Sequence, residues 1–321
     1  MFKNKNILII GDVMLDSYLF GNVERISPEA PVPIIDITQK QYKLGGAANV
    51  AANIKNLGGN PLLCSIIGKD TNGDVFLSLL KNIDVSIDYI YQNPDRLTTN
   101  KTRIIGNNHQ MLRMDEEIKD ELELNDQIYL LILINKVINN QKIDCIIIED
   151  YDKGIITKKI IEELSNISKI LNIPILVDPK KKNFSNYKNI KLFKPNFKEF
   201  KEGLNLIGSD KEKILEIGSK ILHERGIEIV FITLSENGIF VSYKNEKLLI
   251  SKIIPGTVRN VADVSGAGDT VVAVTSMLLN DIHIEEIANL ANLAGGIVCE
   301  EVGVVPIDKE KLLKEYYESK N

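Results

Sequence analysis

Cysteine is scarce: three in 321 residues, Cys64, Cys145 and Cys299, far apart and each inside an apolar segment. That spacing excludes a cysteine-based metal knot, and the three read as small buried hydrophobes of a reducing compartment. Long hydrophobic runs are missing too, so no segment approaches the length that crosses a bilayer. The first apolar run stops at Gly11-Asp12 without a signal-peptide pattern, and a cytoplasmic protein is expected. Positive charge is in deficit, with 39 Lys and Arg against 44 Asp and Glu and a net charge of −5. A nucleic-acid binder would show a basic, clustered footprint, and the densest run here is only Lys180-Lys181-Lys182. Neither a nucleic-acid nor a membrane partner is expected. No Gly-x-Gly-x-x-Gly follows the first strand-like run, which excludes the dinucleotide-binding turn. Repeats, linkers and low-complexity segments are lacking as well, so residues 1–321 read as one domain.

What is there is an α/β rhythm. Ile7 to Ile10 is an unbroken apolar run closed by Gly11-Asp12, the pattern of a buried parallel strand. Leu62 to Ile67 is a second strand. Beyond residue 125 helices (125–139, 157–171, 197–204, 211–225) alternate with strands (145–148, 174–177, 190–193, 229–233). A hairpin over 238–250 and two helices, 267–279 and 284–300, follow. Such alternation predicts a mostly parallel sheet with helices on both faces. Two pieces break the rhythm: 17–40, around Arg25-Ile-Ser-Pro-Glu-Ala-Pro, and 98–115, a hairpin turning at Gly106-Asn107-Asn108. Together they predict a small β lid, with Lys101, Arg103 and Arg113 as candidate anchors for a phosphate.

The most informative stretch is Asp263-Val-Ser-Gly-Ala-Gly-Asp269, which runs straight into an apolar, helix-competent segment. Gly266, Ala267 and Gly268 would lie at a helix N-terminus, where free N–H groups and the helix dipole form an anion site. Asp269 stands at its mouth, where a carboxylate could accept a proton. The pair suits phosphoryl transfer, with an anion hole for the moving group and a base for the attacking hydroxyl. The same residues could simply cap a helix. A second glycine pair opens the small-residue helix Gly45-Gly46-Ala-Ala-Asn49-Val-Ala-Ala-Asn53, and it too admits a ligand close to the backbone.

With both glycine signatures in order on an α/β chain, the sequence resembles the ribokinase-like (PfkB) family of sugar kinases over essentially its full length. Gly11-Asp-Val-Met-Leu-Asp16, Arg25-Ile-Ser-Pro-Glu-Ala-Pro-Val-Pro33, Gln110-Met-Leu-Arg113-Met-Asp115 and Asp150-Tyr151-Asp-Lys153-Gly154 are similar to the heptose 7-phosphate kinases within it, as are Asp178-Pro-Lys180 and Lys194-Pro-Asn196-Phe-Lys-Glu199. The resemblance implies a ribokinase-like fold, ATP and Mg²⁺, and phosphorylation of D-glycero-D-manno-heptose 7-phosphate at its anomeric hydroxyl, toward ADP-heptose and lipopolysaccharide. Another sugar, sugar phosphate or nucleoside is the alternative on the same scaffold. A non-catalytic sugar-binding relative would lack the base.

By position, Asp269 would be the base, and Gly266, Ala267 and Gly268 would stabilise the transferring phosphoryl. Asp12, Gly45, Gly46, Asn49, Arg113 and Lys180 would meet the sugar phosphate. Asn196, Thr233, Ser235, Glu236, Gly238, Asp263 and Asn292 would serve ATP, together with Gly266 and Gly268. Asn196 and Glu199 would organise Mg²⁺ through waters. A homodimer through the β lid is expected. The heptose kinases carry Ser-Asp where this chain has Glu149-Asp150, a difference expected to leave the chemistry unchanged. Many are fused to an adenylyltransferase with a His-x-Gly-His motif. Here His109, His223 and His283 are widely separated, so a stand-alone kinase is expected.

Overall fold

The computed structural model describes residues 1–246, 248–257 and 259–320. The chain opens with β1 (Asn6–Gly11) and two long strands, β2 (Val13–Ile26) and β3 (Pro33–Gly46), that lead into α1 (Ala47–Leu57). Next come β4 (Asn60–Gly68), α2 (Thr71–Asn82), the short β5 (Ile90–Asn93), and a hairpin of β6 (Asn100–Gly106) and β7 (His109–Glu116). Then follow α3 (Leu124–Asn140), β8 (Cys145–Glu149), α4 (Lys158–Leu171), β9 (Ile175–Asp178), β10 (Leu192–Phe193), α5 (Phe197–Gly203), α6 (Lys211–Glu224) and β11 (Ile229–Thr233). The chain finishes with β12 (Ile239–Asn245), β13 (Leu248–Ile254), α7 (Ala267–Leu278), α8 (Ile284–Val298) and α9 (Lys309–Glu318).

Nine strands form the main sheet in the order β13-β12-β11-β10-β9-β8-β1-β4-β5. It is parallel from β11 to β5, and antiparallel only at the β12–β13 edge. The apolar run of β1 explains its central place. Ile7 and Ile9 feed one hydrophobic core and Leu8 and Ile10 the other, so the strand is buried on both faces. The expected mostly parallel α/β sheet is therefore present. The 238–250 hairpin lies on either side of Lys247, which is outside the described residues. It extends four residues further than expected, to Ile254.

The second sheet has four strands in the order β3-β2-β6-β7, with β2 and β6 parallel and both hairpins antiparallel. The lid pieces read as 17–40 and 98–115 both lie here. The first is longer than its proline-rich centre suggested, running from Val13 to Gly46, and Val32 precedes the strand. Asn107 and Asn108 adopt φ of 48° and 65°, which makes the predicted turn at the tip of the second hairpin. Two elements had no counterpart in the sequence reading, β5 and α9. One correction concerns cysteine: Cys64 and Cys145 are buried, but Cys299 at the C-terminus of α8 is partly exposed.

Candidate active site

The site lies at the carboxyl ends of β1, β8 and β9, where open parallel sheets place their ligands. Strand register builds it. Gly11 pairs with Glu149 and Glu149 with Asp178, so the two carboxylates end neighbouring strands in one row. Gly11 has to lack a side chain, because a Cβ there would come within 2.1 Å of the Glu149 carbonyl.

Opposite this row is the N-terminus of α7. Its N-cap, Gly266, has φ 82°, and a Cβ would sit 2.7 Å from the Asn49 amide, so a close approach and a positive φ both call for glycine. Asp269 in the first turn is 3 % exposed. Its Oδ2 accepts from Asn49 Nδ2 at 2.8 Å and its Oδ1 from the Tyr151 hydroxyl at 2.5 Å. Asn53, one turn after Asn49, locks α1 to α7 by accepting from the Thr270 hydroxyl at 3.0 Å. The two asparagines expected on one face of α1 thus form the seam that aims Asp269.

Burial, aided by the charge of Asp178, raises the Asp269 pKa to about 6, while the bonds from Tyr151 and Asn49 and the Lys194 ammonium pull it down. Among the described residues Glu149, Asp178 and Asp269 are the one trio of acidic, His or Cys groups close enough to share an ion, with ligand atoms within 4.8 Å of one another. The charge nearest them is the chain's own: Lys194 Nζ lies 2.9 Å from Asp178, and both side chains are buried. Burial works against the Lys194 ammonium, but Asp178 and Glu149 outweigh it and raise its pKa. Both oxygens of Glu149 are buried without a donor. Burial first, and then Asp178 and Asp269, hold its pKa well above the ordinary carboxylate value. The Glu149 difference therefore falls inside the site, beside the candidate base.

Asp12 is fully buried. Its carboxylate accepts the backbone amides of Tyr151 at 2.7 Å, Lys153 at 3.1 Å and Ile155 at 3.0 Å. It carries the 151–155 loop. Asp16, four residues on, ion-pairs with Arg103, and a Cβ on Gly45 would collide with its carboxylate at 2.2 Å. Gly45 and Gly46 are thus small because Asp16 and the Asp12 carbonyl pack against them. Arg113 is exposed on β7 and forks onto Asp115 at 2.9 and 3.1 Å. Lys101 lies 3.5 Å from both Asp115 and Glu117, so the three hairpin cations each have a carboxylate in place.

Asn196 and Glu199 form a reciprocal capping box at the start of α5, with both bonds at 2.9 Å. The other Glu199 oxygen pairs with Lys180, whose ammonium lies 4.9 Å from the Tyr151 ring centroid. The Asn-x-x-Glu spacing therefore has a structural cause of its own. A single carboxylate at the site's edge suits magnesium, which keeps most of its waters and leans on phosphate oxygens.

Thr233 ends β11 and bridges Asn196 in parallel register. Ser235 and Glu236 form a 3-10 turn that ends at Gly238 (φ 89°). Asp263 accepts the amides of Ser265 at 2.9 Å and Gly303 at 3.0 Å, closing the loop ahead of α7. Asn292 on α8 borders a cavity of about 710 Å³ lined by Pro255, Thr257 and Arg259 and by residues of α8 and α9, and its amide donates to the Pro255 carbonyl at 2.7 Å. The sequence reading did not assign Tyr151, Lys194 or Asp178 to the site. The signal was the run of polar residues just past three strand ends.

No helix of the described residues is long and apolar enough to cross a membrane. Among solved structures, the fold matches Arabidopsis thaliana ribokinase complexed with ribose and ATP. The TM-score is 0.72 at 18% identity, covering 97% of this chain and 98% of that one. It also matches phosphofructokinase-2 from Escherichia coli in complex with fructose-6-phosphate, with a TM-score of 0.76 at 18% identity over 99% and 100% of the two chains. The bifunctional protein HldE of Sulfurimonas denitrificans is 38% identical over 314 residues, 98% of this chain and 64% of its own length. That of Methylobacillus flagellatus is 36% identical over 310 residues, 96% of this chain and 62% of its own. The chain thus spans somewhat under two thirds of these relatives' length. A profile described as pfkB family carbohydrate kinase matches residues 4–311. With its ribokinase-like sheet and a carboxylate at the N-terminus of α7, this chain belongs to the pfkB family of carbohydrate kinases.

Proposed function

We propose that the chain forms one kinase unit. It transfers the γ-phosphoryl group of ATP to the anomeric hydroxyl of D-glycero-D-manno-heptose 7-phosphate, giving the 1,7-bisphosphate that leads toward ADP-heptose. The observation that carries the kinase chemistry is Asp269, a buried carboxylate with a pKa near neutrality at the mouth of a helix N-terminus. A base works best when its pKa lies near the working pH.

In this reading Asp269 takes the proton of the anomeric hydroxyl as that oxygen attacks the γ-phosphorus. The amides of Gly266, Ala267 and Gly268 face the charge on the transferring group, that of Ala267 also reaching the Val264 carbonyl at 3.4 Å, and the Lys194 ammonium lies 3.7 Å from where a Gly268 side chain would begin. Asp12 holds the wall of the sugar site through the 151–155 loop, and Asn49 orients the base. Thr233, Ser235, Glu236, Gly238 and Asp263 line the path of the nucleotide. The cavity beside Asn292 has a volume suited to its base. Magnesium would neutralise phosphate charge, with Glu199 and Asn196 as its nearest protein groups, reached through water.

The choice of acceptor is supported by the similarity of Arg25 to Pro33 and of Gln110 to Asp115 to heptose kinases, and by the cations Lys101, Arg103 and Arg113 on the second sheet. A phosphate gripped away from the reacting carbon adds binding energy that aligns the hydroxyl with ATP. An ATP-consumption screen across free sugars, sugar phosphates and nucleosides tests this. Preference for the heptose 7-phosphate is expected. Preference for ribose, fructose or adenosine would discard the heptose and leave a kinase for another acceptor.

A further inference from the structure

We propose that Tyr151 is a positioning residue for phosphoryl transfer, its hydroxyl holding Asp269 in the ionised, proton-accepting form. The proposal rests on the reading of Asp269 as the base. The tyrosine hydroxyl donates to Asp269 Oδ1 at 2.5 Å, and Asn49 supplies the other donor. Glu149 from the end of β8 and Asp178 from the end of β9 crowd the same carboxylate, and burial together with the Asp178 charge favours its protonated form. Against them stand Lys194, beyond β10, and Lys180, which lies over the tyrosine ring. A carboxylate with two carboxylate neighbours in a buried site would keep its proton unless donors held the charge. Asn49 is one such donor and Tyr151 the other.

The mount of Tyr151 argues for purpose over accident. The buried Asp12 carboxylate accepts three successive loop amides, those of Tyr151, Lys153 and Ile155. Gly154 turns the loop at φ 88°, where a Cβ would meet the Asp120 carbonyl at 1.9 Å. The phenol also stays a donor throughout, because burial and then the charge of Asp269 raise its own pKa well above the ordinary value. In the transfer the anomeric O–H bond breaks and its proton goes to Asp269. The oxygen bonds the γ-phosphorus, the bond from that phosphorus to the ADP oxygen breaks, and Tyr151 keeps its proton.

The test is the pH dependence of kcat/KM for the wild type, Tyr151→Phe and Asp269→Asn, with ATP and the best acceptor from the screen. Losing the donor should move the acid limb of Tyr151→Phe upward by roughly one pH unit, while most of the activity returns on the alkaline side. An acid limb that stays in place while Asp269→Asn is inactive removes Tyr151 from the mechanism and leaves the base assigned. An active Asp269→Asn overturns the base reading and this proposal with it. A 13C NMR titration of the Asp269 carboxyl in the substrate-free protein reads the same shift without turnover. If Tyr151→Phe does not fold, 3-fluorotyrosine at position 151, a stronger donor of nearly the same shape, should move that titration downward. No movement overturns the proposal.

Discussion

Asp269 is held between two donors on one side and burial with the Asp178 charge on the other, and the site's chemistry depends on that balance. Asp269→Asn keeps the shape of the side chain but cannot take a proton. Turnover should fall by roughly 10²- to 10⁴-fold with ATP binding retained, measured by steady-state kinetics and nucleotide titration. Near-normal turnover would exclude Asp269 as base. Glu149 gives a second residue-level expectation. Its pKa is raised on folding, so the stability tied to it is present below the ordinary value of 4.5 and lost as pH rises through the folded one. Glu149→Gln should therefore raise the melting temperature at pH 8 and change it little at pH 4. An equal effect at both values would mean that Glu149 acts by shape alone. Asp269 and the glycines before it were legible in the sequence, because local spacing determines a helix N-terminus. Tyr151 and Glu149 were not. Their importance comes from strand register and from a loop folded back 118 residues before the base, and no local pattern encodes either.

At the level of elements, the Asn196–Glu199 pair shows how one spacing serves two ends. Asn196→Ala removes the N-cap of α5, which should cost about 1 kcal/mol in chemical denaturation. If Asn196 also helps organise Mg²⁺, the magnesium dependence of turnover should shift as well. A stability loss with unchanged magnesium dependence would limit Asn196 to the cap. Most elements were legible because their residues are consistent across levels. The runs of β1 and β8 are apolar throughout and buried on both faces, and α4 has a clear apolar stripe. The two unread elements lack that signal. β5 is only four residues, Ile-Tyr-Gln-Asn, on the sheet's edge. α9 is mostly charged and buries only Leu312 and Tyr316, so its place comes from docking against α8 rather than from its own pattern.

For the molecule as a whole, the second sheet is the open question. Its outer strands, β3 and β7, each leave one edge unpaired, and Tyr42, Met111, Leu112 and Met114 on those strands are exposed. Free edges and exposed apolar side chains are liabilities that a second copy would cover. Light scattering at micromolar concentration should give twice the 36.0 kDa chain mass, and Leu112→Asp should return the protein to the single-chain value. A wild-type mass of one chain would count against the dimer. The existence of this sheet was legible from the break in the α/β rhythm. Its full extent was not, because the long strands carry polar and charged residues that pairing partners, rather than propensity, hold extended.

The two sheets meet at Asp12, which alone separates β1 from β2, while its carbonyl accepts the amide of Ala47 at 3.0 Å where β3 passes into α1. Its side chain, meanwhile, carries the loop that bears Tyr151. Mechanically this makes one residue both fulcrum and linkage. A pull on the outer sheet by an arriving sugar would act as a torque about Asp12, and the same torque would reach the tyrosine at the base. Gripping the substrate and tuning the proton acceptor would then be one motion, and damage at this point should spoil affinity and turnover together.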